Sequence, residues 1–577
     1  MKDGVPEIAM ATDRIIETDV LVIGGGLAGV FAAIKTRESG AEVTVVEKAY
    51  SGKSGGAAMG ASWLAVFHPE WGHELDIWMD FIAGIGEYLN HREWVEIILK
   101  ESYARYCDLV TWGIPFASEK GRSPAPGSHA MPLVKNSFMP RLREKVLESG
   151  ARILDRIMIT DLLKQEGRVS GAVGFDTRNG DFYTFRSKAT IVATGSGAFK
   201  VPGWTDAYWT ADGDAMSFRA GAEIVGKEFG GKDGGTLKNF SSARIGVIGG
   251  YNRYVNADGK PFISTYAPKY DTESHRMISS LFEVHAGRGP IFVDFESATP
   301  EEKKRAARAI EANGLSWLAE RVGFDANKAG KVEIEFGSWV GYQPSQGGVV
   351  INTKCESVLP GLYAAGDCAG TRMCGSCYAP MGYGLAGASV TGHRAGQHAA
   401  EFALEVKHTG INEEEIAGLR EGVYEPLLRS GGFSPGFLTQ AVRNIVVPYY
   451  IMQIKHGQRL QAALTLVEFL QGHLVPKMKA RDVHELRMAH EARNMTLNAE
   501  MVLRASLFRT ESRGSHYRED FPDRVDPGWL AWTVLKQGQG GMKASKLPIP
   551  KEWWPDLSKP YKERYELRFP GEVPQVE

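Results

Sequence analysis

Asp19-Val-Leu-Val-Ile-Gly-Gly-Gly-Leu-Ala-Gly29 is an apolar run that breaks directly into a glycine turn. Asp19 to Ile23 has the unbroken apolarity of a strand buried on both faces, as in a parallel sheet. The glycines are spaced Gly24-x-Gly26-x-x-Gly29, and Val30 to Ser39 reads as a helix that stops at Gly40. Glu42 to Val46 is a second apolar run, and Glu47 ends it. Gly24 permits the tight turn, Gly26 lets backbone approach a pyrophosphate, and Gly29 lets helix and strand pack closely. Leu27 and Ala28 open the helix, whose first N–H groups lack intrahelical partners and suit phosphate oxygens. Glu47, with Lys48 beside it, is about 20 residues on, where an acidic side chain can accept from a ribose hydroxyl. This order of parts predicts a Rossmann-type dinucleotide domain in an α/β fold.

Three later segments choose FAD over NAD. Ser54-Gly55-Gly56-Ala-Ala-Met-Gly60 lies just past Glu47, where flavoproteins run a loop along the cofactor. Thr190-Ile-Val-Ala193-Thr194-Gly195 is another apolar strand with a small, polar end. Gly361-Leu-Tyr-Ala-Ala-Gly366-Asp367 puts an acid at a strand end, ahead of a small-residue helix from Gly384 and Leu385 to Gly396. The N-terminus of that helix suits the polar edge of a flavin.

The 577 residues exceed what one core organises, so two to four domains are expected. A net charge of -2 gives no reason to expect nucleic acid as a partner. No apolar run has the roughly 20 residues of a membrane-spanning helix. Met1 to Thr18 lacks the basic start and apolar stretch of a signal peptide. Five cysteines argue against a disulfide scaffold and for a reducing compartment. The expected location is the cytoplasm, with attachment to a membrane surface only through a partner.

Glu511-Ser-Arg-Gly-Ser-His-Tyr-Arg-Glu-Asp-Phe-Pro-Asp-Arg524, followed by Trp529-Leu530, resembles the ESRGAH-x-R-x-DFPDR segment of the succinate dehydrogenase and fumarate reductase flavoproteins. That family includes L-aspartate oxidase and the α subunit of adenylylsulfate reductase. Tyr208 to Asp214 resembles its TGDG turn, which puts Asp214 at the cofactor, and Gly259 to Pro268 resembles its GERF-x-x-x-YAP. The resemblance implies an FAD-binding domain in two segments, 1–228 and 346–405. An α+β cap, 229–345, is inserted between them; a C-terminal helical domain, 406–540, and an arm, 541–577, follow. Glu413 to Leu428 and Gln453 to Leu474 are long, apolar-periodic and helix-compatible. Lys546 to Pro555, with its adjacent tryptophans, is expected to dock as an extended arm.

The departures from the family are informative. Covalent members attach FAD through a His after the second strand; Ser51 to Gly60 has none, so non-covalent FAD is expected. The stretch matching the dicarboxylate enzymes' HPTG is Phe229 to Gly235, and their Thr-Glu pair falls near Ser242 and Ala243. The proton-donating Arg of the cap falls at His275, with Arg276 next; a substrate His falls near Gln343, and a substrate Arg at Tyr378. A carboxylate left without its bidentate Arg costs a few kcal/mol, so succinate and fumarate are expected to be poor substrates. Met373, Tyr378, Met381 and Tyr383, with Trp204, Tyr208 and Trp209, suit a flatter, less charged substrate.

The expected reaction is hydride transfer between FAD N5 and a small organic substrate, foremost reduction of an activated C=C bond next to a carbonyl or carboxyl. His275, Arg276 and Tyr378 are the candidates for proton transfer and polarisation. Three alternatives stand. The first is an adenylylsulfate-reductase-like subunit, with Lys200, Lys232, Lys238 and Arg244 offering charge to an anionic nucleotide. The second is an amino-acid oxidase, and the third an electron-transfer relay between proteins. Cys374-Gly-Ser-Cys377, with Cys368 nearby, reads as structural thiols, a redox dithiol or part of a metal site. No second CxxC completes four ligands, so no metal is expected. With neither a ferredoxin-like Cys run nor a second GxGxxG, the expected partner is a separate ferredoxin-like iron–sulfur subunit.

Overall fold

The computed structural model describes residues 12–59, 63–116, 130–132, 135–201, 209–230, 236–238, 240–244, 253–270, 272–312, 315–335, 347–378, 382–410 and 412–573. Trp204, Tyr208, Lys232, Gln343 and Met381 lie outside them, as do the side chains of Ser242, Ala243 and Arg244.

The apolar run becomes the inner part of β1, Asp13–Ile23, in which Val20, Leu21 and Val22 are fully buried. It is flanked in parallel by β2, Val43–Glu47, and by the strand Phe182–Val192, with Ile23 opposite Val46 on one side and Val192 on the other. Arg152–Asp155 extends the sheet beyond β2, and Leu362–Ala364 joins the end of Phe182–Val192, also in parallel. An antiparallel hairpin, Ile157–Gln165 with Arg168–Asp176, completes the far edge. The C-terminal ends of the parallel strands open on one side, where open α/β sheets form their ligand crevice. Helix α1, Leu27–Glu38, packs backbone to backbone on the helix Tyr383–Glu405. A Cβ at Gly392 or Gly396 would collide with the carbonyl oxygens of Ala28 and Ala32.

Between Phe182–Val192 and Leu362–Ala364 the chain makes an α+β insertion. Its five-stranded antiparallel sheet has the order 240–244, 236–237, 331–335, 292–294, 254–255. Leu237, Tyr254, Ile291, Val293 and Ile334 belong to its own core. The chain leaves through Ile224–Val225 and returns through Gly348–Val349, two short strands paired antiparallel with each other. This two-strand neck is also paired to Ala531–Gly538.

The helices Glu413–Leu428, Pro435–Val446, Gly457–Phe469 and Val483–Phe508 follow, the last three sharing a core with Phe199 and Val201. Gln453 to Leu474 is not one helix. Ile454–Lys455 is a strand, paired in parallel with Tyr517–Arg518, and the helix begins only at Gly457. Apolar periodicity cannot register a partner some 60 residues away. The tail differs from a plain extended arm in that Gly541–Pro548 pairs along its length with Ala531–Gly538. Beyond it, Trp553 packs on His91 and Trp532, at ring distances of 4.9 and 6.3 Å. No described helix is long and apolar enough to cross a membrane.

Candidate active site

Gly24 has φ +113°, and its N–H donates to Val46 (2.8 Å); any Cβ there would run into the carbonyl of Ala193. Gly29 lies against the carbonyl of Gly24, again with no room for a side chain. A Cβ at Gly26 would meet nothing within 4 Å, and no side chain caps the helix that starts there. An uncapped helix N-terminus behind an open glycine is a cradle for a phosphate group. Glu47, 9% exposed, accepts from the backbone N–H of Gly25 and of Ala49, both at 2.9 Å. Each of its oxygens keeps a second lone pair for a ribose hydroxyl. The carboxylate therefore also shapes the glycine loop. These residues fit FAD.

The other expected cofactor residues differ in their surroundings. Ser54 donates to Tyr50 (2.9 Å) in an exposed turn, and Gly55 has φ +82°. Gly56 and Gly195 both lie against the Trp209 ring, where a Cβ would crowd the indole. Thr194 Oγ1 accepts from Gly213 (3.0 Å), tying the strand end to the helix Asp212–Ala220. Asp214, 1% exposed, pairs with Lys227, which also donates to Asn498 (3.1 Å); the Asp214 Oδ1 is buried without a partner among the described residues. Burial pushes the Asp214 carboxyl up, and an orphaned acceptor is the kind of group a cofactor hydroxyl satisfies. Gly366, at φ +71°, donates to Thr391 Oγ1 (2.9 Å), and Asp367 beside it is half-buried. Gly384 and Leu385 form the first turn of Tyr383–Glu405.

Lys48 turns to a hub that the sequence did not reveal. Its Nζ meets Thr210 Oγ1 (2.8 Å), Asp212 (2.7 Å) and Glu491 (3.0 Å). Glu491, 2% exposed at the side chain, also takes Arg487 (2.7 Å) and Lys200. Burial opposes both charges, but the opposite charges prevail: Lys48 is held above its ordinary value and Glu491 down at about 2. With Lys200 on Glu491 and Lys238 on Glu333 (2.6 Å), each of the two already has a carboxylate partner, which weakens it as a candidate for an anionic nucleotide.

The three expected catalytic residues come from two elements. His275 and Arg276 are in the first turns of the helix Glu273–His285, capped by Thr272, whose Oγ1 accepts from the His275 N–H (3.2 Å). Both are buried rather than on the surface, at 1% and 8% exposure. His275 Nδ1 lies 3.0 Å from the Tyr270 carbonyl, and Tyr270 rests edge-on against Phe81 of the FAD domain. Tyr378 is on the loop after Asp367. Its hydroxyl accepts from the N–H of Gly384 (2.8 Å), so it sits at the N-terminus of the helix expected to face the flavin.

Arg372, on the same loop, was missed. It is 5% exposed and lies over the Trp532 ring at 4.2 Å, with no carboxylate partner among the described residues. Cys368, Cys374 and Cys377 are buried, and burial pushes the thiols of Cys368 and Cys377 up, against nucleophilic use.

Residues 19–379 match the family of FAD binding domains, and residues 450–564 match the fumarate reductase flavoprotein C-terminal family. An uncharacterized FAD-dependent oxidoreductase of Methanocaldococcus jannaschii is 26% identical, over 90% of this chain and 96% of that protein. One of the subunits of the fumarate reductase (CoM/CoB) of Methanothermobacter marburgensis is 27% identical, over 91% and 98%. Among solved structures, the adenylylsulfate reductase of Archaeoglobus fulgidus shares the fold with a TM-score of 0.80 at 22% identity, over 95% of this chain and 98% of that one. The glycine cradle, the acid at the end of β2 and these matches lead to one conclusion: the chain belongs to the FAD-binding flavoprotein family of fumarate reductase and succinate dehydrogenase, and is an FAD-dependent oxidoreductase.

Proposed function

We propose that the protein reduces an activated C=C bond next to a carbonyl or carboxyl group of a small organic substrate. FAD, when bound, supplies hydride chemistry at N5. The observation that carries the reading is the burial of His275 and Arg276 at the start of one helix, in an insertion that leaves and rejoins the FAD domain through paired strands. A segment on such a neck can move as a unit, and glycines flank it at Gly230 and Gly347.

The residues divide the work. A carbonyl can only accept, so His275 Nδ1 carries the hydrogen toward Tyr270 and Nε2 is the nitrogen that exchanges a proton. Arg276 keeps its charge and suits an oxygen of the acceptor. Tyr378 accepts from Gly384 through its hydroxyl, a group whose chemistry includes donation to a carbonyl oxygen. Around the cofactor, Gly24, Gly26 and Gly29 seat the pyrophosphate, Glu47 the ribose, and the first turn at Gly384 the flavin edge, all without a covalent link. A separate ferredoxin-like iron–sulfur subunit in the cytoplasm supplies electrons in this reading; the relative from Methanothermobacter marburgensis is itself named as one part of a multi-subunit enzyme.

The test is oxidation of reduced methyl viologen by the FAD-loaded protein with a panel of enoates and enones. Fumarate opens the panel, because relatives carry fumarate reductase in their names. Turnover of at least one acceptor is expected. The double variant His275→Ala, Arg276→Ala should lose about 10²–10⁴ of that rate at unchanged flavin content. No turnover with any acceptor would favour a protein-to-protein relay, and a wild-type rate in the variant would move the proton donor elsewhere.

A further inference from the structure

Lys455 is buried, 1% exposed, and among the described residues no carboxylate oxygen lies within ion-pair distance of its amine. Its Nζ donates to the carbonyl of Glu228 (2.5 Å) and to Nδ1 of His516 (2.8 Å). His516 is buried as well, and its Nε2 faces the Arg509 carbonyl at 3.3 Å. Nδ1 also lies 3.3 Å from the Glu228 carbonyl, but that carbonyl already receives the Lys455 amine at 2.5 Å; with the one ring hydrogen on Nε2, toward Arg509, Nδ1 accepts from Lys455.

The place matters more than the pair. Glu228-Phe229-Gly230 follows the outgoing strand of the neck, and Phe229 packs on His516 and Arg509, 6.2 and 5.2 Å from its ring. On the other side, the ribbon of Ile454–Lys455 and Tyr517–Arg518 lies against the helix that carries His275 and Arg276. Ile454 and Tyr517 share a core with Met277, Ile278, Leu281 and Phe282. Ile454 therefore holds the insertion's helix while the next residue holds its neck.

The charged or titratable groups facing the amine are Glu228 from the neck, Arg509 from beyond the helix Val483–Phe508, Arg518 from the partner strand and His516 just before that strand. Glu228 and Glu511 are taken by Arg509, and Asp520 by Arg518. We propose that Lys455 is a positioning residue for the neck of the insertion, and that loosening the neck, which admits water to this amine, takes up one proton.

The sign follows from linkage. Burial pushes Lys455 from its ordinary 10.5 down to about 7, with Glu228 opposing and Arg518 and Arg509 adding to the fall. Between those values the loosened neck binds one more proton than the closed one. Raising the pH through this window tightens the neck, by about tenfold per pH unit. Below about 7 both states are charged, and above 10.5 neither is, so the slope vanishes.

The inference goes beyond the proposed reaction and needs no substrate. Hydrogen–deuterium exchange of the FAD-loaded full chain, read in peptides covering 224–230 and 274–285 from pH 7.5 to 9.5, tests it. In the wild type, the tightening neck should offset the rise of exchange chemistry with hydroxide, leaving observed rates nearly flat. Lys455→Met, neutral throughout, and Lys455→Arg, charged throughout, should both lose the offset, so that their rates climb with hydroxide by about 100-fold across the two pH units. Wild-type rates that climb with hydroxide would overturn the proposal, and so would a flat profile kept in either variant. Should the Met variant fail to fold, the wild-type and Arg profiles decide it.

Discussion

Glu491→Gln separates a designed electrostatic hub from surface decoration, because it keeps the side chain's shape and removes only its charge. Glu491 faces Lys48, Lys200 and Arg487 from inside the helix Val483–Phe508, and Lys48 directly follows Glu47, the acid proposed to bind the ribose. The variant strands three cations unequally. Lys200 and Arg487, 21% and 22% exposed, can turn to water, and Lys48 keeps Asp212 and Thr210. Breaking a fully buried pair costs about 3–5 kcal/mol, so these outlets place the loss at about 2–4 kcal/mol. The proton equilibrium gives an independent value. A carboxyl held at about 2 instead of 4.5 contributes about 3 kcal/mol at neutral pH. Its folded value is depressed, so the contribution is full above pH 4.5 and fades as the pH falls toward 2. Denaturant unfolding followed by FAD release reads this region rather than the whole multidomain chain. The expected result is a loss of about 2–4 kcal/mol at pH 7 that narrows at pH 3.5. A loss below about 1 kcal/mol, the value of an exposed pair, or a gap unchanged by acid would refute the reasoning.

Two further outcomes are expected. Acid precipitation should release all flavin into the supernatant, since Ser51 to Gly60 offers neither His nor Cys for a covalent link; flavin retained on the pellet would contradict this. Arg372→Met should leave the thermal midpoint unchanged or raise it, because a buried guanidinium resting on the Trp532 ring, with no carboxylate partner among the described residues, is replaced by an apolar chain of similar reach. A fall of more than about 5 °C would show that the guanidinium balances an anion.

The glycine cradle proposed for FAD was legible because its requirements are contiguous. Gly24, Gly26 and Gly29 answer to the geometry of one turn, and Glu47 is reached through a single strand–helix–strand unit. A backbone that must approach a phosphate tolerates few residue types, so the constraint is written into neighbouring letters. The residues proposed to handle protons have no such imprint. His275 reaches its place through a cap on Thr272 and a bond to Tyr270, Tyr378 through the first turn of a helix six residues on, and Arg372 through a ring on Trp532. Each position tolerates several chemistries, and only the fold brings the segments together.

The most specific motif of all, Glu511 to Arg524, had a different cause. Arg509 and Arg513 share Glu511 (2.8 and 2.7 Å), Arg513 takes Asp526 (2.6 Å), and Arg524 clamps both oxygens of Glu87 (2.6 and 2.8 Å), with all three guanidiniums fully buried. Charges so deep cannot be exchanged one at a time, since removing one partner leaves the other unpaired at a cost of about 3–5 kcal/mol. That lock explains why a segment can be so recognisable without revealing a substrate. It fixes the Glu87 turn, the ribbon that carries His516 and the C-terminal tail to one another, and through Arg509 it reaches Glu228. Family membership is thus read from the joint that carries the neck of the insertion, which says nothing of the substrate.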